Sequence, residues 1–178
     1  AKRFQPTGKQ YPLQVGYCDV TIPPNHRPGT TTPIPLVLDF HGFIEGAART
    51  HPIATQFSSK ARAKGFAVVD PIGSENGLIW DVSLRESNPD LQFVDALLAK
   101  LDTTMCIDRS RIYITGLSYG GFMTLMSLFR YPGIFAAGIS AAGVTDWAHY
   151  SDEWTSRILG VPAEDTDQLV RRSDELID

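Results

Sequence analysis

Gly116-Leu117-Ser118-Tyr119-Gly120-Gly121 carries the strongest chemical signal in this chain. A serine hydroxyl is a poor nucleophile in water. It needs a base to take its proton and donors to hold a developing oxyanion. The G-x-S-x-G spacing meets the geometric part of that need. The serine stands on a tight elbow between a strand and a helix, its hydroxyl projecting above the sheet, and the glycines let the chain fold closely around it. The neighbouring residues agree: the apolar run Arg111–Thr115 reads as a strand and the periodic segment Phe122–Tyr131 as a helix. Ser118 is therefore the candidate nucleophile. The backbone N–H of Tyr119, at the start of that helix, is one candidate oxyanion donor. The second is expected from the loop His41-Gly42-Phe43, with Phe43 N–H assigned and Gly42 the alternative. Each such donor is typically worth roughly 3–4 kcal/mol in the transition state.

A base is harder to place. The four histidines, His26, His41, His51 and His149, are scattered, and none is paired at i, i+4 on a helix. No metal site and no cofactor are expected. His26 reads as a solvated loop residue. His41 precedes the serine and reads as a structural residue of its loop, because an elbow of this kind orders its triad as serine, acid, histidine. Only His149 follows Ser118, with Asp146 three residues before it. The two share a turn, which suits a Ser–His–Asp line poorly. A cap role for Asp146 and a packing role for His149 are the plainer readings. The base is thus open between His149 and His41.

These residues need a scaffold, and the pattern supplies one. Residues 1–13 read as an irregular arm. Val15–Ile22 reads as a strand, followed by a proline-dense loop. Ile34–Phe40 is a continuous apolar run of the kind buried on both faces of a parallel sheet. Pro52–Lys64 reads as one helix with Ile53, Phe57 and Ala61 on its apolar face and Gly65 ending it. Phe66–Asp70 is the next strand. Asn88-Pro89-Asp90 starts a helix, with Leu91, Val94, Leu97, Leu98 and Leu101 as its buried stripe. Met105–Ser110 reads as a connector. Phe135–Ala142 is a small-residue strand, a helix is expected near Ser151–Leu159, and residues 161–178 form an acidic tail. Strands alternating with helices predict an α/β class: a three-layer α/β/α sandwich on a mostly parallel sheet, in a single domain over 1–178. Ligands then bind outside the carboxyl ends of the strands, where Phe43, Ser118 and Asp146 should share one rim.

With 178 residues, 43% hydrophobic and 20% charged, the chain is long enough for a real core. Its net charge of −4 and lack of a basic stripe exclude nucleic acid as an expected partner. No run approaches the roughly 20 apolar residues that cross a bilayer, so no membrane partner is expected, and no signal peptide is visible. Cys18 and Cys106 allow one disulfide or two thiols and do not fix the compartment.

Several stretches resemble known families. Pro35–Gly42, Gly65–Gly73, Phe93–Leu98 and Cys106–Ser118 are similar to the α/β-hydrolases of the polyhydroxybutyrate depolymerase and feruloyl esterase group, over roughly residues 15–120. Gly116–Leu125, Arg130–Gly138, Val144–Trp147 and Arg157–Pro162 resemble the prolyl oligopeptidase family, over 116–162. Both likenesses imply an α/β-hydrolase fold, here truncated on its C-terminal side. They imply a serine hydrolase working through an acyl-enzyme on a small-molecule or polymer ester, and the first implies secretion. By the first likeness Trp80 helps wall the substrate cleft, and Cys106 lacks the partner cysteine usual in that group. By either likeness the acid and the histidine lie on two strand ends beyond Asp178. The second offers an alternative, a peptidase acting on aminoacyl amides. A non-catalytic or assembly-dependent homologue is the third reading. Without further strands, Phe135–Ala142 would form an exposed apolar edge, through which a homo-oligomer is expected.

Overall fold

The computed structural model describes residues 2–4, 17–27, 29–48, 50–73, 79–82 and 87–145. In chain order its elements are β1 (Lys2–Phe4), β2 (Tyr17–Thr21), β3 (Ile34–Phe40), α1 (Glu45–Ala48), α2 (His51–Thr55), α3 (Phe57–Lys64) and β4 (Ala67–Ile72). They continue with α4 (Pro89–Thr104), β5 (Ile107–Leu117), α5 (Tyr119–Arg130) and β6 (Ala137–Ala141). One sheet joins the strands in the order β1-β2-β4-β3-β5-β6. The two pairings at the β1 side are antiparallel, and β4, β3, β5 and β6 run parallel.

The order explains the layers. The β3-to-β4 connection moves one way along the sheet, whereas β4-to-β5 and β5-to-β6 move the other way. Right-handed crossovers therefore put α3 on one face and α4 and α5 on the opposite face. The expected three-layer, mostly parallel α/β architecture is the one observed. The carboxyl ends of β3, β4, β5 and β6 (Phe40, Ile72, Leu117 and Ala141) lie along a common edge, and the candidate site is built there.

Local chemistry accounts for most boundaries. The Asn88 side chain accepts hydrogen bonds from the N–H groups of Asp90 and Leu91, at 2.9 and 3.1 Å, and Pro89 stands at the first helical position of α4. Leu91, Val94, Leu97 and Leu101 of α4 are buried as the stripe predicts, against Leu36, Leu38 and Ile114 of the sheet.

Several expectations are corrected. The first residues are not all irregular, because Lys2–Phe4 pairs with Cys18–Val20. The segment 52–64 is two helices, since Gln56 adopts φ 55° and breaks the turn between them. Ile53 is consequently 75% exposed rather than part of a buried face. The strand β5 starts at Ile107 and absorbs most of the expected connector, because Ile34 and Ile107 pair at its beginning. Of the two alternatives left open for Cys18 and Cys106, the structure has two thiols and no disulfide between them. The helix expected near 151–159, the acidic tail, Asp146 and His149 lie outside the described residues. Among the described residues no helix is long and apolar enough to cross a membrane, and no His/Cys/Asp/Glu group could hold a metal ion.

Candidate active site

Ser118 sits between β5 and α5 with φ 57° and ψ −118°. That backbone is costly for a residue with a side chain, on the order of 1–3 kcal/mol, and persists only where the surroundings enforce it. They do so here through close packing. A Cβ on Gly116 would meet the Gly120 carbonyl oxygen at 2.2 Å, and one on Gly120 would meet the Phe40 carbonyl oxygen at 2.1 Å. The first glycine lets the elbow close, and the second lets it press against the end of β3. Ser118 N–H donates to the Ala141 carbonyl at 2.9 Å, which ties the elbow to the end of β6. The helix α5 follows immediately, so its positive end faces the half-buried serine.

The loop after β3 stands beside this elbow. The Phe43 ring lies 6.0 Å from the Tyr119 ring, centroid to centroid. Phe43 is 38% exposed and Ile44 is 50% exposed at φ 58°, an unusual conformation for a β-branched residue. Strained backbone thus occurs on both sides of the candidate oxyanion position. Of the two donors expected from this loop, Gly42 N–H is committed to Glu45 Oε2 at 2.7 Å.

His41 is buried and uses both ring nitrogens. Nδ1–H donates to the Gly42 carbonyl at 2.6 Å, and Nε2 accepts from Gly73 N–H at 3.0 Å. These partners fix its tautomer. Burial pulls its pKa down from 6.5 to about 4, with the Gly42 carbonyl opposing and His51 adding to the fall. His41 is therefore a neutral strut under the loop, as its structural reading expects, and of the two histidines left open as base it is the one whose nitrogens are both engaged. Trp80 is also corrected. Its indole N–H donates to the His41 carbonyl at 2.9 Å, and its ring packs on His41 and Phe40 at centroid distances of 4.6 and 5.1 Å. At 1% exposure it offers a substrate no surface and instead supports the His41–Phe43 loop from beneath.

A buried polar cluster lies behind the loop that the residue pattern did not single out. Asp39, His51, Glu45 and Asp70 come from β3, α2, α1 and β4. His51 Nε2 lies 2.9 Å from Asp39 Oδ1, off the line of a straight hydrogen bond, and Nδ1 lies 3.2 Å from Glu45 Oε2. Thr55 Oγ1 donates to Asp39 Oδ2 at 2.8 Å. Burial acts to lower the His51 pKa, but the hydrogen bond and charge of Asp39, with those of Glu45, outweigh it and raise the value. Burial, with the Asp39 charge adding, pushes Asp70 from 3.8 to about 7. The signal available in the sequence was a carboxylate inside each of two apolar strands, Asp39 and Asp70. Among the described residues neither His41 nor His51 bonds Ser118; both are occupied in the loop's support.

Comparison with known proteins places this geometry. The chain is 32% identical over 135 residues to acetylxylan esterase A of Emericella nidulans, covering 68% of this chain and 43% of that protein. It is 33% identical over 140 residues to dipeptidyl peptidase family member 2 of Caenorhabditis elegans, covering 74% of this chain and 17% of that one. It thus spans less than half the length of either relative. The structure of an acetyl xylan esterase from Aspergillus awamori superposes with a TM-score of 0.63 at 24% identity, over 86% of this chain and 56% of that chain, a likeness of fold. The model of the prolyl oligopeptidase family matches residues 55–175, starting well before the stretch 116–162 that carried the resemblance. With the elbow at Ser118, the parallel sheet beneath it and more than half the chain matched, the protein is an α/β-hydrolase that belongs to the prolyl oligopeptidase family.

Proposed function

We propose that this chain carries the nucleophile and oxyanion side of a serine hydrolase that cleaves carboxylic esters. The observation that carries the reading is the enforced backbone of Ser118, held between Gly116 and Gly120 beside the loop of Phe43. Ser118 Oγ attacks the ester carbonyl carbon and loses its proton to the base. The N–H groups of Phe43 and Tyr119 receive the oxyanion. The alcohol then leaves with that proton, and water hydrolyses the acyl-enzyme by the reverse sequence. His41 is engaged through both nitrogens, which takes it out of the base's role. The likeness to acetylxylan esterase A supports an ester substrate.

A peptidase reading has its own support in the family match and in the likeness to dipeptidyl peptidase family member 2. It predicts cleavage of aminoacyl-prolyl anilides instead. The test is turnover of p-nitrophenyl acetate against an aminoacyl-prolyl anilide, each with Ser118→Ala as control. Ester turnover that Ser118→Ala abolishes supports the proposal. Faster anilide turnover transfers the site to peptidase chemistry, and turnover equal in Ser118→Ala refutes Ser118 as nucleophile.

A further inference from the structure

The turn that presents Phe43 is closed by a side chain. Gly42 N–H donates to Glu45 Oε2, spanning Phe43 and the strained Ile44. The approach is tight: a Cβ on Gly42 would lie 2.9 Å from that oxygen. Glu45 is itself held by His51, whose other nitrogen meets Asp39, and Asp39 is held by Thr55. A polar path therefore runs from β3 through α2 and α1 to the backbone of the candidate oxyanion loop.

The protonation of His51 follows from this placement. A neutral imidazole donates from one nitrogen only and presents a lone pair at the other. Either tautomer would aim that lone pair at a carboxylate, Asp39 or Glu45. Only the imidazolium turns an N–H toward both carboxylates, through the 3.2 Å contact to Glu45 and, off the straight line, the 2.9 Å charge contact to Asp39. Charged and titratable groups also face His51 from the other elements packed on it. His41 lies at the end of β3, and Asp70 on β4 and Asp19 on β2 line the same small cavity of about 10 Å³. The upward shift of the His51 pKa agrees with Asp39 and Glu45 outweighing burial.

We propose that Asp39, His51 and Glu45 form a positioning relay, clamped by the His51 imidazolium, that holds the Gly42–Phe43 turn in its oxyanion-binding geometry. The catalytic part of this statement rests on the serine hydrolase reading; the relay itself does not. Loss of the His51 proton or of the Glu45 charge frees the turn, and the nucleophile loses a placed donor without losing substrate contacts. A misplacement of this kind typically lowers the chemical step by tenfold to about a hundredfold.

The test reads the loop and the chemistry separately. His41–Gly42 is the sole His-Gly pair in the sequence. Labelling with ¹³C-carbonyl histidine and ¹⁵N-glycine therefore isolates the Gly42 amide in an NMR spectrum. The relay predicts that this amide titrates with the same midpoint as the His51 imidazole, and that the titration disappears in Glu45→Gln and in His51→Asn. In parallel, the rate of fluorophosphonate labelling of Ser118 should fall tenfold or more in Glu45→Gln, with KM for p-nitrophenyl acetate changed less than twofold. The rate in the wild type should fall as pH rises through the His51 midpoint. If Glu45→Gln folds poorly, the wild-type Gly42 titration still decides. A Gly42 amide indifferent to His51 overturns the relay even if Ser118 labels normally. A coupled Gly42 with an unreactive Ser118 supports the relay and refutes the hydrolase reading.

Discussion

Replacing Asp70 with asparagine should make the protein more stable at alkaline pH. Asp70 lies on β4 opposite Asp19 and beside Asp39, is 6% exposed, and has an Oδ1 with no hydrogen-bond partner. Its folded pKa of about 7 stands above the ordinary 3.8. The folded state therefore keeps a proton that the unfolded chain loses. The associated stability is complete below about pH 4 and disappears as pH rises through about 7. At roughly 1.4 kcal/mol per pH unit, the interval from pH 4.5 to 7 is worth about 3 kcal/mol. Asparagine has nearly the same shape and does not ionise, so Asp70→Asn should escape this loss. Urea unfolding followed by tryptophan fluorescence, at pH 4.5 and 8.5, measures the effect. The stability of the variant relative to the wild type should rise by about 3 kcal/mol between the two pH values. A difference that stays constant within about 0.5 kcal/mol would refute the assignment of a buried, neutral Asp70.

Other consequences follow from named contacts. His41 has a lowered pKa, so its stabilising contribution is full above pH 6.5 and lost as pH falls through about 4. In an Asp70→Asn background, and below the range in which the raised His51 pKa acts, urea unfolding should show about 2 kcal/mol lost from pH 6.5 to 4.5, and His41→Asn should flatten that loss. Gly120→Ala places a methyl 2.1 Å from the Phe40 carbonyl oxygen, so thermal unfolding should reveal a loss of about 3 kcal/mol or more together with lost Ser118 labelling. Asn88→Ala removes both cap bonds of α4 and should cost about 1–2 kcal/mol in the same assay while leaving labelling intact. The β6 strand is an edge among the described residues, with Ile139 68% exposed. Self-association through it is expected in sedimentation and should weaken in Ile139→Lys.

What could be read from the residues was what local chemistry controls. The elbow was legible because Gly116, Ser118 and Gly120 meet one another within five positions. The start of α4 was legible because its cap and its proline are adjacent. The break at Gln56 was not, since the four-residue steps of Ile53, Phe57 and Ala61 suit one helix or two, and nothing in a glutamine announces φ 55°. Trp80 was misassigned because its position in the chain says nothing of its depth; only the fold brings its indole under His41. The Asp39–His51–Glu45 cluster joins a strand end to two short helices that the residue pattern did not separate, so no spacing rule exposes it. Asp39 and Asp70, each a carboxylate within an apolar strand, were the trace it left.

The central claim is that Ser118 is a presented and activated nucleophile. Its most direct test is the intact mass of the full chain after treatment with a fluorophosphonate, with the adduct located by peptide mapping. The account predicts one adduct, on Ser118, absent in Ser118→Ala and slowed by Glu45→Gln. An unmodified protein, under conditions that fully label a serine esterase alongside it, would contradict the account.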